Sequence, residues 1–377
     1  MTPGDGAGFG WRTADGGCSS GRTTKHPRRW WALLAPVLVA AACSGSDSGS
    51  DATGSSGGLE QLLALAPASV FNDPDNAAEL FYVDLEGIRD EAGLGDASPE
   101  QLVEELPQAL LDQGARAPEL FFQDFTSIEA FESAFGFSVL DVERSLDLTA
   151  PPHRVNLLEV TVDEETIDDA VHADPAWSDR LTVDELRGHT FYDWDEGEEG
   201  PRTDLERVTV GRPLGSGGQL AVVDDVAVRT VTRSSMDATL EAVDDPAASV
   251  AELDAVIALL DGTTSLDGDV RQALVQAPPL PGWAGPALFV EASDGALHTA
   301  RAVLSAPDED TADAAAEVVR ATLESGTSDR SGEPYTDILP DATVTTEGTL
   351  VILESSTDLA FDHLVGTLRF EPLLTLD

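Results

Sequence analysis

The side chains of this chain that could do covalent or metal chemistry are few and loosely spaced. There are two cysteines (Cys18 and Cys43), one lysine (Lys25) and six histidines (His26, His153, His172, His189, His298 and His363). Beyond position 43 no cysteine or lysine occurs. That part of the chain therefore cannot hold a disulfide, a zinc–thiolate centre, a thiol nucleophile, a Schiff-base lysine, a Ser-x-x-Lys motif or a Walker lysine. His-Glu-x-x-His is also absent. The five later histidines lack metal-ligand spacing and read as surface or satisfied core residues. A Ser-His-Asp triad is recognised by geometry and not by chain order, so the sequence leaves that arrangement open.

The densest acidic cluster is the loop Asp193-Trp194-Asp195-Glu196-Gly197-Glu198-Glu199-Gly200. Its alternating carboxylates make Asp193, Asp195 and Glu199 candidate calcium ligands. Against an EF-hand loop it fails, because Gly197 stands where a ligand is wanted and Glu198 where the turn glycine belongs. A solvated charge run is the competing reading. No other cofactor is expected. The string Gly215 to Gly218 lacks the spacing of a phosphate loop and reads as a flexible turn before a strand. Trp177, Trp194 and Trp283 could line a ligand groove or fill a core.

The elements that must position these groups are read from pattern. With 377 residues and 42% hydrophobic content, the chain can bury a substantial core, so disorder throughout is excluded. Leu59 to Leu65 predicts a short apolar helix or turn, Glu79 to Leu85 a strand, and Pro99 to Leu111 a helix. Thr126 with Glu129 resembles a capping box for a helix that Gly136 stops. Arg154 to Val162 reads as a strand, and Asp163 opens a helix through Val171. Gln219 to Val223 and Val226 to Thr232 form a hairpin turning at Asp224-Asp225, and Ser234 or Ser235 caps a helix to Val243.

The same order returns downstream. Leu297 to Ser305 is a strand and Asp308 starts a helix to Leu323. A hairpin spans Thr343 to Leu353 and turns at Glu347-Gly348, and Thr357 caps the last helix. Between the two sets, Ser249 with Glu252 predicts a capping box opening a helix to Leu260. Ala277 to Pro286, APPLPGWAGP, marks a boundary. The expected fold class is α+β: a mixed or antiparallel sheet with helices on one face and an internal duplication of a strand–helix–hairpin–helix unit. The expected regions are residues 1–42, 43–58, 59–277 and 278–377.

The first region has its own anatomy. Arg22, Lys25, Arg28 and Arg29 precede an apolar run of thirteen residues, WWALLAPVLVAAA from Trp30 to Ala42, which is short for a membrane-spanning helix. Ala40, Ala41 and Ala42 lead into Cys43. This segment resembles the signal and lipobox of secreted bacterial lipoproteins of the actinobacterial type, with Ala40 standing where that family usually has Leu. The resemblance implies acylation of the Cys43 thiol, removal of residues 1–42, and an extracytoplasmic location on the cell membrane. It implies no reaction. Arg28-Arg29 before Trp30-Trp31 also resembles a twin-arginine signal, which leaves the export route open. Ser44 to Gly58, SGSDSGSDATGSSGG, reads as a flexible tether with a reach of about 20 Å.

Charge narrows the partners. The chain carries a formal −49, and residues 1–42 hold five of its 21 basic and two of its 70 acidic groups, leaving 16 against 68. Such a surface repels phosphates and acidic headgroups, so neither nucleic acid nor electrostatic membrane docking is expected. The expected membrane partner is reached through covalent lipid. Three functional readings remain: a non-catalytic envelope module binding a protein or small molecule, an extracytoplasmic hydrolase built from Ser, His and carboxylates, and a solute-binding lipoprotein of a transport system.

Overall fold

In a computed structural model, the described residues are 57–73, 76–115, 128–174, 177–194, 217–277, 283–295, 297–356 and 360–370, together with Glu206 and Leu280. Cys43, Thr126, Asp195, Glu199 and Thr357 lie outside them, and with them the signal, the tether up to residue 56 and two of the expected caps.

Twelve strands form one sheet: β1 (Ala78–Asp84), β2 (Arg144–Ala150), β3 (His153–Glu159), β4 (Thr182–Leu186), β5 (His189–Asp193), β6 (Gln219–Val223), β7 (Val226–Thr230), β8 (Asp269–Ala277), β9 (Ala287–Ser293), β10 (His298–Ser305), β11 (Thr343–Glu347) and β12 (Leu350–Ser355). Their order is β11-β12-β10-β9-β8-β1-β2-β3-β7-β6-β5-β4, with each neighbouring pair antiparallel. The sheet is open, with β11 and β4 at its edges. Edge strand β4 exposes Asp184 and Glu185, charges that discourage pairing with another chain.

The helices are α1 (Gly57–Leu63), α2 (Ala68–Phe71), α3 (Leu85–Glu91), α4 (Pro99–Asp112), α5 (Ile128–Phe135), α6 (Glu164–Ala173), α7 (Arg233–Asp244), α8 (Asp254–Asp261), α9 (Glu309–Ser325), α10 (Tyr335–Ile338) and α11 (Ala360–Phe370). None of the described helices is long and apolar enough to cross a membrane.

Period-two alternation sorts strand side chains between two apolar layers. Phe81, Val83, Leu158, Phe289 and Leu353 join α3, α4, α5, α6, α9 and α11 in one layer. Leu80, Tyr82, Leu157, Val290 and Ile352 join α1, α2, α7 and α8 in the other. The expectation of helices on one face is thus corrected: they cover both. The physical sign was present in Leu80-Phe81-Tyr82-Val83 and Ala287-Leu288-Phe289-Val290, where apolar residues occupy both parities, as a strand buried on both sides requires. Burial also explains α1, seven residues long and too short to persist alone. Leu59, Leu62 and Leu63 are buried, each contributing about 1.5–3 kcal/mol.

Local signals behave unevenly. Asp163 and Asp308 cap α6 and α9 by accepting from the N–H groups of Thr166 and Thr311, both at 2.8 Å. Asp224 (φ 51°) and Gly348 (φ 57°) sit in the left-handed region at the two hairpin turns. The cap of α7 is Thr232, not Ser234 or Ser235: its hydroxyl accepts from the Ser235 N–H at 3.2 Å. Ser249 makes no side-chain cap, and its turn is a 3₁₀ segment that precedes a helix starting at Asp254.

The Pro-rich segment after Ala277 connects β8 to β9, which pair directly through Gln276 and Ala287. Strands β3 and β10 each pair with the second strand of the hairpin that follows them, β7 and β12. The helices after those hairpins lie on opposite faces, α7 in the second layer and α11 in the first. The two sets thus match in strand pairing and differ in the face on which the helix after the hairpin lies.

Candidate functional site

Among the described residues, three of the places that bring chemistry-bearing side chains together bear on function. The first lies at the middle of the sheet, where β1 meets β8. Asp84 ends β1 and caps α3, accepting from the Gly87 N–H at 3.1 Å. Arg271 on β8 donates to Asp84 Oδ2 at 2.7 Å and to Glu91 Oε1 at 2.8 Å. Gly87 is the residue that admits this packing, since a Cβ there would run into the Arg271 guanidinium and the Asp84 carboxylate. His298, the first residue of β10, donates through Nδ1 to Glu291 Oε1 at 3.1 Å, and its Nε2 lies 3.5 Å from Glu91 Oε2. Glu291 also accepts from Gln272.

This cluster is largely withdrawn from water, with the Glu291 side chain 4% exposed and Glu91 13%. The hydrogen bond to Glu291, together with the charges of Glu291 and Glu91, raises the His298 pKa above its ordinary value against the opposing effect of burial. Burial likewise raises Asp84, despite its bond from Gly87 and the neighbouring Arg271. The arrangement can hold a proton between two carboxylates. No hydroxyl contacts His298 among the described residues. What the cluster does in the fold is clear: it ties β1, α3, β8, β9 and β10 together.

The second place resembles half of a hydrolytic triad. His153 Nδ1 and Ser235 Oγ are 3.0 Å apart. Ser235 has no exposed surface, and its hydroxyl is also bonded to Thr232 Oγ1 at 2.7 Å. Among the described residues no carboxylate bonds the other nitrogen of His153. A nucleophile sealed inside a helix start cannot reach substrate, so this contact fastens α7 to β3.

The third is a cavity of about 640 Å³ between the loop after α9 and the last helix, α11. Ser328, Arg330, Ser331 and Glu333 line one side, and Asp362, His363, Gly366 and Thr367 the other. The loop is held shut at its base by a bridge between Thr327 and Pro334. Within it, Ser328 Oγ accepts from the N–H groups of Arg330 and Ser331, at 3.2 and 3.0 Å. His363 donates through Nδ1 to the Ile338 carbonyl at 3.2 Å, which in the neutral ring leaves Nε2 as an acceptor. Gly366 lies inside α11, where glycine costs about 1 kcal/mol relative to alanine.

The sequence-derived candidates fare as follows. Cys43, Asp195 and Glu199 are outside the described residues. Asp193 ends β5, where its Oδ1 accepts from Gln219 Nε2 at 3.1 Å and Oδ2 lies 3.9 Å from the Arg233 guanidinium, so it is engaged within the protein. No group of metal-ligating side chains occurs among the described residues. Trp177, Trp194 and Trp283 are all buried in the first apolar layer. Of the histidines, His153, His189, His298 and His363 gained partners that only the fold could supply. Glu91, Glu291, Arg271 and Arg330 carried no sequence signal, being single charges in a chain rich in them.

No family model and no curated protein matches the chain. Among solved structures, crystal form I of TP0453 aligns with a TM-score of 0.37 and 9% identity, covering 83% of this chain and 97% of that one. Crystal forms III and IV of the same protein give TM-scores of 0.36 and 0.36 with 9% and 10% identity, each covering 79% of this chain and 96% and 95% of theirs. Likeness at that level carries no inference about function.

Proposed function

We propose that this chain is an extracytoplasmic module held to the cell membrane by lipid on Cys43, and that it binds a partner or small molecule and does not transform it. The observation that carries the binding reading is how the imidazoles are used. His153 contacts a serine that has no exposed surface, and His298 is clamped between two carboxylates that are themselves anchored. Both serve the fold. Among the described residues, a polar cavity beside α11 faces solvent.

The tether reading rests on sequence, and α1 takes up the last two residues of the expected tether, Gly57 and Gly58. A body with 68 acidic against 16 basic groups would be repelled by an anionic membrane surface, so attachment requires apolar chains, at about 0.8 kcal/mol per buried methylene. We also read the strand sets β1-β2-β3-β7-β6 and β8-β9-β10-β12-β11 as copies of one ancestral arrangement, supported by their matching pairing order.

Cell fractionation tests the anchor: the Cys43→Ser chain is expected in the soluble extracytoplasmic fraction and the wild type in membranes. A serine variant that stays in membranes contradicts it. Assays of the purified chain on esters, glycosides and peptides test the binding reading. Turnover abolished by Ser235→Ala would overturn it.

A further inference from the structure

From the α11 cavity we infer a binding site for a small zwitterion, an amino acid or short peptide carrying both a free carboxylate and a free ammonium group. This deepens the binding reading above and rests on it. The first argument is about spent and unspent charge. Among the arginines whose side chains are described, Arg89, Arg144, Arg187, Arg233, Arg271, Arg301 and Arg320 bond carboxylates or carbonyls, and Arg154, Arg180 and Arg229 have partners as well. Arg330 is the exception: only its backbone N–H is bonded. In a chain with so few cations against so many carboxylates, a guanidinium left without an ion pair at the wall of a cavity is the natural seat for a ligand carboxylate.

The second argument is about what else lines the space. Glu333 brings negative charge, Ser331 and Thr367 bring hydroxyls, and His363 in its neutral form brings an acceptor nitrogen fixed by its bond to Ile338. A ligand met by all of these needs donors as well as an anion. The third is about the whole field. A chain with a formal −49 repels a free phosphate or dicarboxylate, whereas a zwitterion approaches without net penalty and finds both signs locally. The volume of about 640 Å³ lies within the range of small-molecule sites. Space comes in part from Gly366, an unfavourable residue for a helix interior; a Cβ built there would lie 3.6 Å from the Arg330 guanidinium.

The test is calorimetric titration of the full-length chain in detergent with L-alanine, L-leucine and L-alanyl-L-alanine, their N-acetyl and C-amide derivatives, and inorganic phosphate. At least one free zwitterion should give a single-site isotherm. Removing either ligand charge, or making Arg330→Ala, should weaken binding about tenfold or more, as loss of a charged hydrogen bond does. Gly366→Leu should abolish binding by filling the space. Arg330 is exposed and bonded only through its backbone, so its variant should fold even where the Gly366 variant does not, which thermal melts will check. No isotherm with any zwitterion, equal binding of phosphate or of the N-acetyl derivatives, or an unchanged Arg330→Ala would each overturn the site. Ligand recovered chemically altered would overturn the non-catalytic reading while leaving the site standing.

Discussion

At the scale of single residues, His298 gives the account a pH dependence. Its folded pKa is raised by Glu291 and Glu91 and faces Arg271 across Glu91, so its contribution to stability is complete below its unfolded value, about 6.5, and fades as pH rises through the raised one. Urea titrations between about pH 6 and pH 8.5 should show wild-type stability falling relative to His298→Gln; parallel curves would contradict the assignment. Arg271 should matter more. Replacing it with Met leaves Asp84 and Glu91 buried without their cation, a loss of about 3–5 kcal/mol by the usual cost of breaking a buried pair. A change below about 1 kcal/mol, the scale of a surface pair, would show that the pair is solvated instead.

At the scale of elements, the caps are the most exposed to test. Thr232→Ala removes the acceptor for the Ser235 N–H and a bond to the Ser235 hydroxyl, and should destabilise the protein by about 1 kcal/mol, read from its urea midpoint. Ser234→Ala, at the position the sequence also favoured, should leave that midpoint unchanged. This contrast explains what could be read in advance. Asp163, Asp308, the Asp224-Asp225 turn and Gly348 are local signals, decided within a few residues, and their elements formed where expected. Strands β2, β4, β5, β8 and β9 were not anticipated; Arg144–Ala150 and Thr182–Leu186, for example, mix polar and apolar residues in patterns that only neighbouring strands resolve. The second layer of helices was legible in the two-parity apolar strands but was read as one-sided. The α11 cavity joins the segments around residues 330 and 365, far apart in the chain, and no spacing rule links them.

At the scale of the whole molecule, charge and attachment govern behaviour. With a formal −49, the chain repels itself over distances that salt screens to about 8 Å at physiological ionic strength. Its melting temperature should rise from low to molar sodium chloride; a flat or falling trend would mean that the carboxylates are spaced too widely to strain the fold. The lipid proposed on Cys43 would hold such a polyanion at a membrane without electrostatic attraction. The most direct measurement is therefore the mass of the N-terminal peptide of the chain extracted from membranes. It should begin at residue 43 with fatty acyl groups on that cysteine, and a peptide that runs through position 43 with its thiol unmodified would contradict the account.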